Sequence, residues 1–329
     1  MTIVVTGSVA YDYIMSFPGR FKEHILPDKI DKLSVSFLVD SMRRQQGGCA
    51  PNIAYSLRLL GQRPCIMAAV GQDFGDYKHW LDEKGIDTSG IRTYEDDFTA
   101  SFFVNTDLDN NQIASFYTGA MRQAAKLSFR DLSLESIDLA VISPNDPAAM
   151  VKYVGECKEL GIPYVYDPSQ QIIRLSGDDL IEGARGARLL VVNEYEFEMI
   201  KNKTGLDDSA LCSLAQTTII TCGECGSQIV DNCRRFTVPV APPRQVGEPT
   251  GVGDAYRAGV IVGMLAGFSW EVAGRMGSLA ATYVLEQQGT LNHSYDLSEF
   301  AERYRHAFGL ALEVDRLAKM QQFPIPQVA

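Results

Sequence analysis

The stretch Glu248-Pro249-Thr250-Gly251-Val252-Gly253-Asp254-Ala255-Tyr256-Arg257-Ala258-Gly259 sets two glycines, an acid and the start of a helix-forming run within twelve residues. Glycine at 251 and 253 lets the backbone N–H groups of a turn, Val252 included, close on an anion, and the positive end of the following helix points at the same place. Such a layout suits a transferring phosphoryl group. Asp254 is then out of place in a pure phosphate cradle, because a carboxylate repels a bound phosphate unless it takes a proton from the hydroxyl that attacks. The plainer reading makes Asp254 a helix N-cap, and on this motif alone the two readings are level. Better-known phosphate motifs do not account for the stretch. G-x-G-x-x-G fails at Tyr256, and no Gly-Lys pair exists to form a P-loop. Asp73-Phe74-Gly75 imitates a protein-kinase metal triplet without that family's catalytic or glycine-rich loops, so it reads as a turn.

Around this stretch lies a chain of 329 residues, 46% hydrophobic, enough for about two average domains or for one large α/β domain with an appendage. A net charge of -11 argues against nucleic acid as a partner, since phosphate backbones need clustered Lys and Arg. The longest apolar run, Ala258 to Phe268, is too short and glycine-rich to span a bilayer, and the amino-terminal residues enter a strand without a leader pattern. The expectation is a cytoplasmic protein without a membrane partner. Seven cysteines (49, 65, 157, 212, 222, 225 and 233) are scattered rather than framed for disulfides. Cys222-Gly223-Glu224-Cys225, with Cys233 nearby, is a C-x-x-C pair that can bind zinc or cycle a disulfide, but no second C-x-x-C or H-x-x-H completes a zinc site.

Periodicity predicts a β-α-β rhythm. Thr2 to Gly7 reads as a first central strand with Asp12 just past it, then a helix runs from Gly48 to Gly61, then a strand from Cys65 to Val70. Further strands are expected at 139–143, 164–166, 189–192 and 218–221, with helices at 148–160 and 194–204 between them. A mainly parallel sheet flanked by helices on both faces follows. Two stretches break the rhythm: Ile30 to Val39 reads as an extended strand, and Thr99 to Tyr117 as a hairpin with a polar turn at 107–111. They predict a small β-sheet lid made of residues 13–40 and 98–118, over a large domain made of 1–12, 41–97 and 119–329. Ala255, Gly259, Gly263 and Gly267 form a small-residue stripe expected to pack close against the sheet, and the tail from Phe323 to Ala329 reads as frayed.

The Gly-Val-Gly-Asp turn is joined by Gly47-Gly48-Cys-Ala-Pro-Asn52, by Asn193-Glu-Tyr-Glu196 and by Thr221-Cys-Gly-Glu-Cys-Gly226. In this order they resemble the ribokinase-like (PfkB-type) kinases of sugars and nucleosides over nearly the whole chain. Within that family the resemblance is closest to bacterial adenosine kinases. It is carried by Phe17-Pro-Gly-Arg-Phe21, Ser34-Val-Ser-Phe-Leu-Val-Asp40, Gln112-Ile-Ala-Ser-Phe-Tyr117, Asn145-Asp-Pro147, Asp167-Pro-Ser-Gln-Gln171 and Pro249-Thr-Gly-Val-Gly-Asp254.

The resemblance implies ATP-dependent phosphorylation of the 5'-hydroxyl of adenosine, with Asp254 as general base and Gly251, Val252 and Gly253 as the anion hole. It implies that Asp12 holds the ribose hydroxyls beside Gly48 and Asn52. Ser8, Ser36, Phe102, Phe116, Gln170, Gln171 and Arg174 are implied around the nucleoside. ATP is implied over Thr221, Gly223, Gly226, Gly253 and Asn193, with Mg2+ organised by Asn193 and Glu196 through water. Plainer readings stand beside these: Phe102 and Phe116 as lid core, Asp12 and Gly47-Gly48 as turn residues, Gln170-Gln171 as a polar loop, Asn193 and Glu196 as a helix cap and an exposed charge. Another nucleoside, a free sugar such as ribose or fructose, or a silent nucleoside sensor are the competing functions. Glu248 departs from the family pattern, which opens this motif with Asp near a monovalent-cation loop, so activation by K+ is weakened as an expectation. Exposed lid edges suggest a homodimer.

Overall fold

The structure, a computed structural model, describes residues 1–319 apart from 33, 233 and 311. The tail expected to fray and Cys233 lie outside the described residues. Thirteen strands form two sheets among the described residues. They are β1 (Thr2–Thr6), β2 (Ala10–Ser16), β3 (Ser41–Gly47), β4 (Arg63–Gly71), β5 (Ile91–Tyr94), β6 (Ala100–Thr106), β7 (Gln112–Tyr117), β8 (Leu139–Ile142), β9 (Tyr164–Tyr166), β10 (Leu189–Asn193), β11 (Thr217–Thr221), β12 (Ser227–Asp231) and β13 (Arg234–Val238). The large sheet runs β13-β12-β11-β10-β9-β8-β1-β4-β5 and is parallel from β11 to β5, with β12 and β13 antiparallel at one edge.

Near-continuous apolar strands such as Leu139-Ala-Val-Ile142 mark a sheet covered on both faces. Because successive side chains point to opposite faces, each strand feeds two cores. Val5, Val141 and Val191 pack with the helices Cys49–Leu59, Val252–Leu265 and Trp270–Leu285 on one side. Val4, Ile142 and Val192 pack with Pro147–Leu160 and Glu194–Thr204 on the other. The helix boundaries carry local signals: Asp146 caps Pro147–Leu160, with Pro147 in its first turn and Gly161 left-handed at its end.

The small-residue stripe serves a different contact from the expected one. A Cβ at Gly259 would meet Met276 O at 2.6 Å and Gly277 Cα at 2.7 Å, and one at Gly263 would meet Ala273 Cα at 2.6 Å. The stripe therefore seats the helix Val252–Leu265 on the helix Trp270–Leu285, not on the sheet, and Gly267 lies past the helix end.

The small sheet runs β3-β2-β6-β7. The hairpin at 99–117 forms as expected, but the extended strand at 30–39 does not: a 3-10 turn occupies Pro27–Lys32, and Asp12 lies within β2 rather than beyond a strand. The outer strand is instead Ser41-Met-Arg-Arg-Gln-Gln-Gly47. It is an exposed polar edge strand with no hydrophobic alternation, which is why its sequence does not announce it. The small sheet thus draws on residues 10–16 and 41–47, shifting its limits from those expected.

Candidate active site

The carboxyl ends of β1, β8, β9, β10 and β11 open on one edge of the large sheet, where open α/β folds gather their sites. A cavity of about 320 Å³ lies there, lined by Ser8, Asp12, Gly48, Asn52, Phe102, Phe116, Asp167, Gln170, Gly251, Gly253, Asp254, Arg257 and Thr290 among others. A second, of about 350 Å³, shares Ser8, Phe102, Phe116 and Gln170 with it and adds Met121, Pro144 and Gln171. Of the residues expected around the nucleoside, Ser36 and Arg174 line neither cavity and are exposed. Ser36 belongs to the irregular stretch that replaces the expected strand, and Arg174 follows the short turn Ser169–Ile173.

Asp254 is not the N-cap. Gly251 caps the helix at φ 80°, and Asp254 stands in its first turn, buried, with Oδ2 accepting from Asn52 Nδ2 at 2.9 Å. Burial pushes its carboxyl up to about 6, against the pull of Arg257 and the Asn52 hydrogen bond. Val252 N–H already donates to Pro249 O at 3.3 Å, which leaves the next amides of the turn as the better anion donors.

Asp12 occupies the same cavity from the other sheet. Pairing across the small sheet sets Asp12 opposite Phe102, and Phe102 opposite Phe116, so the three form one row facing the cavity. Phe116 is 48% exposed, so it is no lid-core residue. Gly47 makes room for this carboxylate, and Gly48 for the backbone that leads to it. A Cβ at Gly47 would meet Asp12 Oδ2 at 2.5 Å, and Gly48, at φ 102°, would strike Ser8 O at 2.5 Å. Burial and the nearby Glu248 push Asp12 up to about 6. Glu248 itself accepts from Gly289 N at 3.1 Å.

Asn193 and Glu196 form a reciprocal capping box, each side chain accepting the other's backbone N–H at 2.8 Å. Glu196 Oε1 also accepts from Ser169 Oγ at 2.9 Å, tying this helix start to the Gln170-Gln171 loop. Among the described residues no cluster of three or more His, Cys, Asp or Glu could hold a metal ion directly. The donors present fit a magnesium ion carried mainly by phosphate oxygens and water, which is how this cation is commonly held. Beside them, Cys222 N donates to Gly226 O at 2.8 Å, so Thr221 to Gly226 makes a tight turn at the end of β11. The six described cysteines are free.

Sequence reasoning assigned no role to Arg257, Asp167, Thr290 or Ser169, all of which line the cavity that holds Asp254. Arg257 was legible only as the residue three positions past Asp254, a spacing that puts both on one helix face.

A cavity at the strand ends, a glycine turn at a helix start and a buried carboxylate beneath a small β-sheet define a ribokinase-like α/β phosphotransferase. The chain belongs to the pfkB family of carbohydrate kinases, whose model matches residues 3–296. It is similar to the nucleoside kinase of Burkholderia thailandensis solved in complex with inosine, at 36% identity and a TM-score of 0.84 over 94% of this chain and 98% of that one. The Methanocaldococcus jannaschii nucleoside kinase superposes with a TM-score of 0.83 at 26% identity, covering 93% of this chain and 98% of that chain. The nucleoside kinase of Methanothermobacter thermautotrophicus is 29% identical over 311 residues, 93% of this chain and 96% of that protein. Among the described residues no helix is long and apolar enough to cross a membrane.

Proposed function

We propose that this chain transfers the γ-phosphoryl group of ATP to the 5'-hydroxyl of a nucleoside, with adenosine as the preferred acceptor and AMP as the product. The observation that carries this reading is the row Asp12–Phe102–Phe116, which sets a carboxylate and two aromatic rings over cavities continuous with Asp254. A carboxylate accepts hydrogen bonds from vicinal hydroxyls, and aromatic faces stack on a base that a free sugar lacks. Gln171 supports a base as well: its Oε1 is a buried acceptor with no hydrogen-bond partner among the described residues.

With the nucleoside so placed, Asp254 takes the 5'-hydroxyl proton while that oxygen attacks the γ-phosphorus in line, the bond from that phosphorus to the β–γ bridging oxygen breaks, and ADP leaves. The amides of Gly253 and Asp254, which follow Val252 in the turn, and the helix dipole meet the charge that develops on the equatorial oxygens. The Thr221–Gly226 turn would hold the nucleotide phosphates, and Asn193 and Glu196 would hold their magnesium counter-ion through water. A magnesium ion bound there would supply neutralisation of the phosphate charge. The small sheet acts as a lid whose closure excludes water, the competing nucleophile.

Phosphoryl transfer measured over a panel of nucleosides and free sugars tests the acceptor. Adenosine is expected to give the highest kcat/KM, and Phe116→Ala to raise nucleoside KM about tenfold, since losing one base–aromatic stack costs on the order of 1–3 kcal/mol. A free sugar outperforming every nucleoside would overturn the reading. The inosine bound to the B. thailandensis protein makes inosine the second reading, and a preference for it would replace adenosine.

The outer face of the small sheet exposes Phe103, Ile113 and Met42, which supports a homodimer formed through the lids. Sedimentation equilibrium is expected to give twice the chain mass; a single species at monomer mass would refute the pairing.

A further inference from the structure

Resting on Asp254 as the base, a second question is what keeps a buried base ionised without occupying it. Each oxygen of Asp254 faces a different element. Asn52 Nδ2, on the helix Cys49–Leu59, donates to Oδ2 at 2.9 Å, while Arg257 Nη1 stands 3.7 Å from Oδ1, beyond hydrogen-bond reach. The guanidinium is drawn back by Asp167 at the end of β9. Arg257 Nη2 donates to Asp167 Oδ1 at 2.6 Å, and Nε lies 2.6 Å from Oδ2. Asp167 is wholly buried and Arg257 is 8% exposed. Gly253 clears the space this requires, since a Cβ there would meet Arg257 Nη1 at 2.7 Å.

A buried ion pair is weak as a stabilising device, because desolvation cancels much of the attraction. Its placement beside a proton acceptor is where it has an effect. We infer that Arg257, anchored by Asp167, is a positioning residue that holds Asp254 ionised and aimed while leaving Oδ1 free to receive the substrate proton. A guanidinium in direct contact would tie up that oxygen and weaken the base; without a guanidinium, burial would protonate it. The other ionisable groups facing Asp254 are the Cys49 thiol from the helix Cys49–Leu59 and Asp167 from β9, and Asp12 from β2 lines the same cavity.

The test is the pH profile of kcat with ATP, magnesium and adenosine for the wild type, Arg257→Met, Arg257→Lys, Asp167→Asn and Asp254→Asn. Arg257→Met is expected to move the acid limb up by at least about one pH unit, a tenfold greater loss at acidic than at neutral pH. Asp167→Asn is expected to move it down and to lower the plateau, as the released guanidinium settles on Asp254. Arg257→Lys, which keeps the charge but cannot fork onto Asp167, is expected to lower the plateau with a limb near that of the wild type, and stands in where the Met variant does not fold. Acid limbs at the wild-type position for Arg257→Met and Asp167→Asn, or moved in the same direction, would overturn the inference, since a purely structural pair alters melting and not the limb. Full activity of Asp254→Asn would instead overturn the base itself, so the two failures are distinguishable.

Discussion

Asp254→Asn is expected to lower kcat by about a hundredfold to ten-thousandfold, the usual cost of removing a well-placed general base. Nucleoside KM should change little. Asparagine keeps the shape of the side chain and an oxygen to accept the Asn52 amide, so the turn and the helix start stay in place while the negative charge is lost. The wild-type pH profile should agree with this assignment. Burial raises the Asp254 carboxyl to about 6, so the ionised form prevails above that value and its proton-accepting capacity is lost as pH falls through it. Activity is therefore expected to decline by about tenfold per pH unit below the limb. Steady-state rates for both proteins between pH 5 and 8.5 check both statements. Equal kcat in wild type and variant would remove Asp254 from the chemistry, whatever its place at the turn.

The second large effect is expected at Asp12→Asn, and on binding rather than on the chemical step. Hydrogen bonds to a charged group contribute about 1.5–3 kcal/mol, so losing the charged acceptor for two ribose hydroxyls should raise nucleoside KM about tenfold to a hundredfold. Asparagine fits the gap that Gly47 leaves beside Oδ2, so the fold is not strained by the change. The ATP KM should stay near the wild-type value, because Asp12 lies on the small sheet, away from the Thr221–Gly226 turn. Asp12 is also raised to about 6 by burial and by Glu248, so protonation on the acid side removes this acceptor and nucleoside KM should climb there. Nucleoside KM unchanged by the substitution would exclude Asp12 from the ribose site.

The six strands from β11 to β4 were legible because they are short apolar runs set between helical periods and glycine stops, whereas the more polar β5, β12 and β13 at the two ends of the sheet were not. The small sheet was only half legible. Its hairpin at 99–117 has alternation and a polar turn, but β3 is a polar edge strand, and the more apolar residues at 34–39 form no strand. The site followed the same division. Asp12, Gly48, Asn52 and the Gly251–Asp254 turn line one cavity, whereas Asn193, Glu196 and the Thr221–Gly226 turn line neither of the two cavities, and neither do Ser36 and Arg174. Asn193 and Glu196 form the helix cap of the plainer reading, and Glu196 also accepts a hydrogen bond from Ser169 in the loop that carries Gln170.

By itself the sequence determined which backbone segments can be strand, helix or anion-binding turn, because those choices depend on period, on Gly and Pro, and on caps within a few residues. That was enough to select a parallel α/β body with a glycine turn ahead of Asp254. Only the tertiary structure decided what surrounds Asp254. The capping role fell to Gly251, and the acid came to lie between Asn52, 202 residues away, and an arginine held by Asp167, 90 residues from that arginine. Burial, Coulomb interaction and the reach of a guanidinium act through space, and spacing along the chain does not encode them.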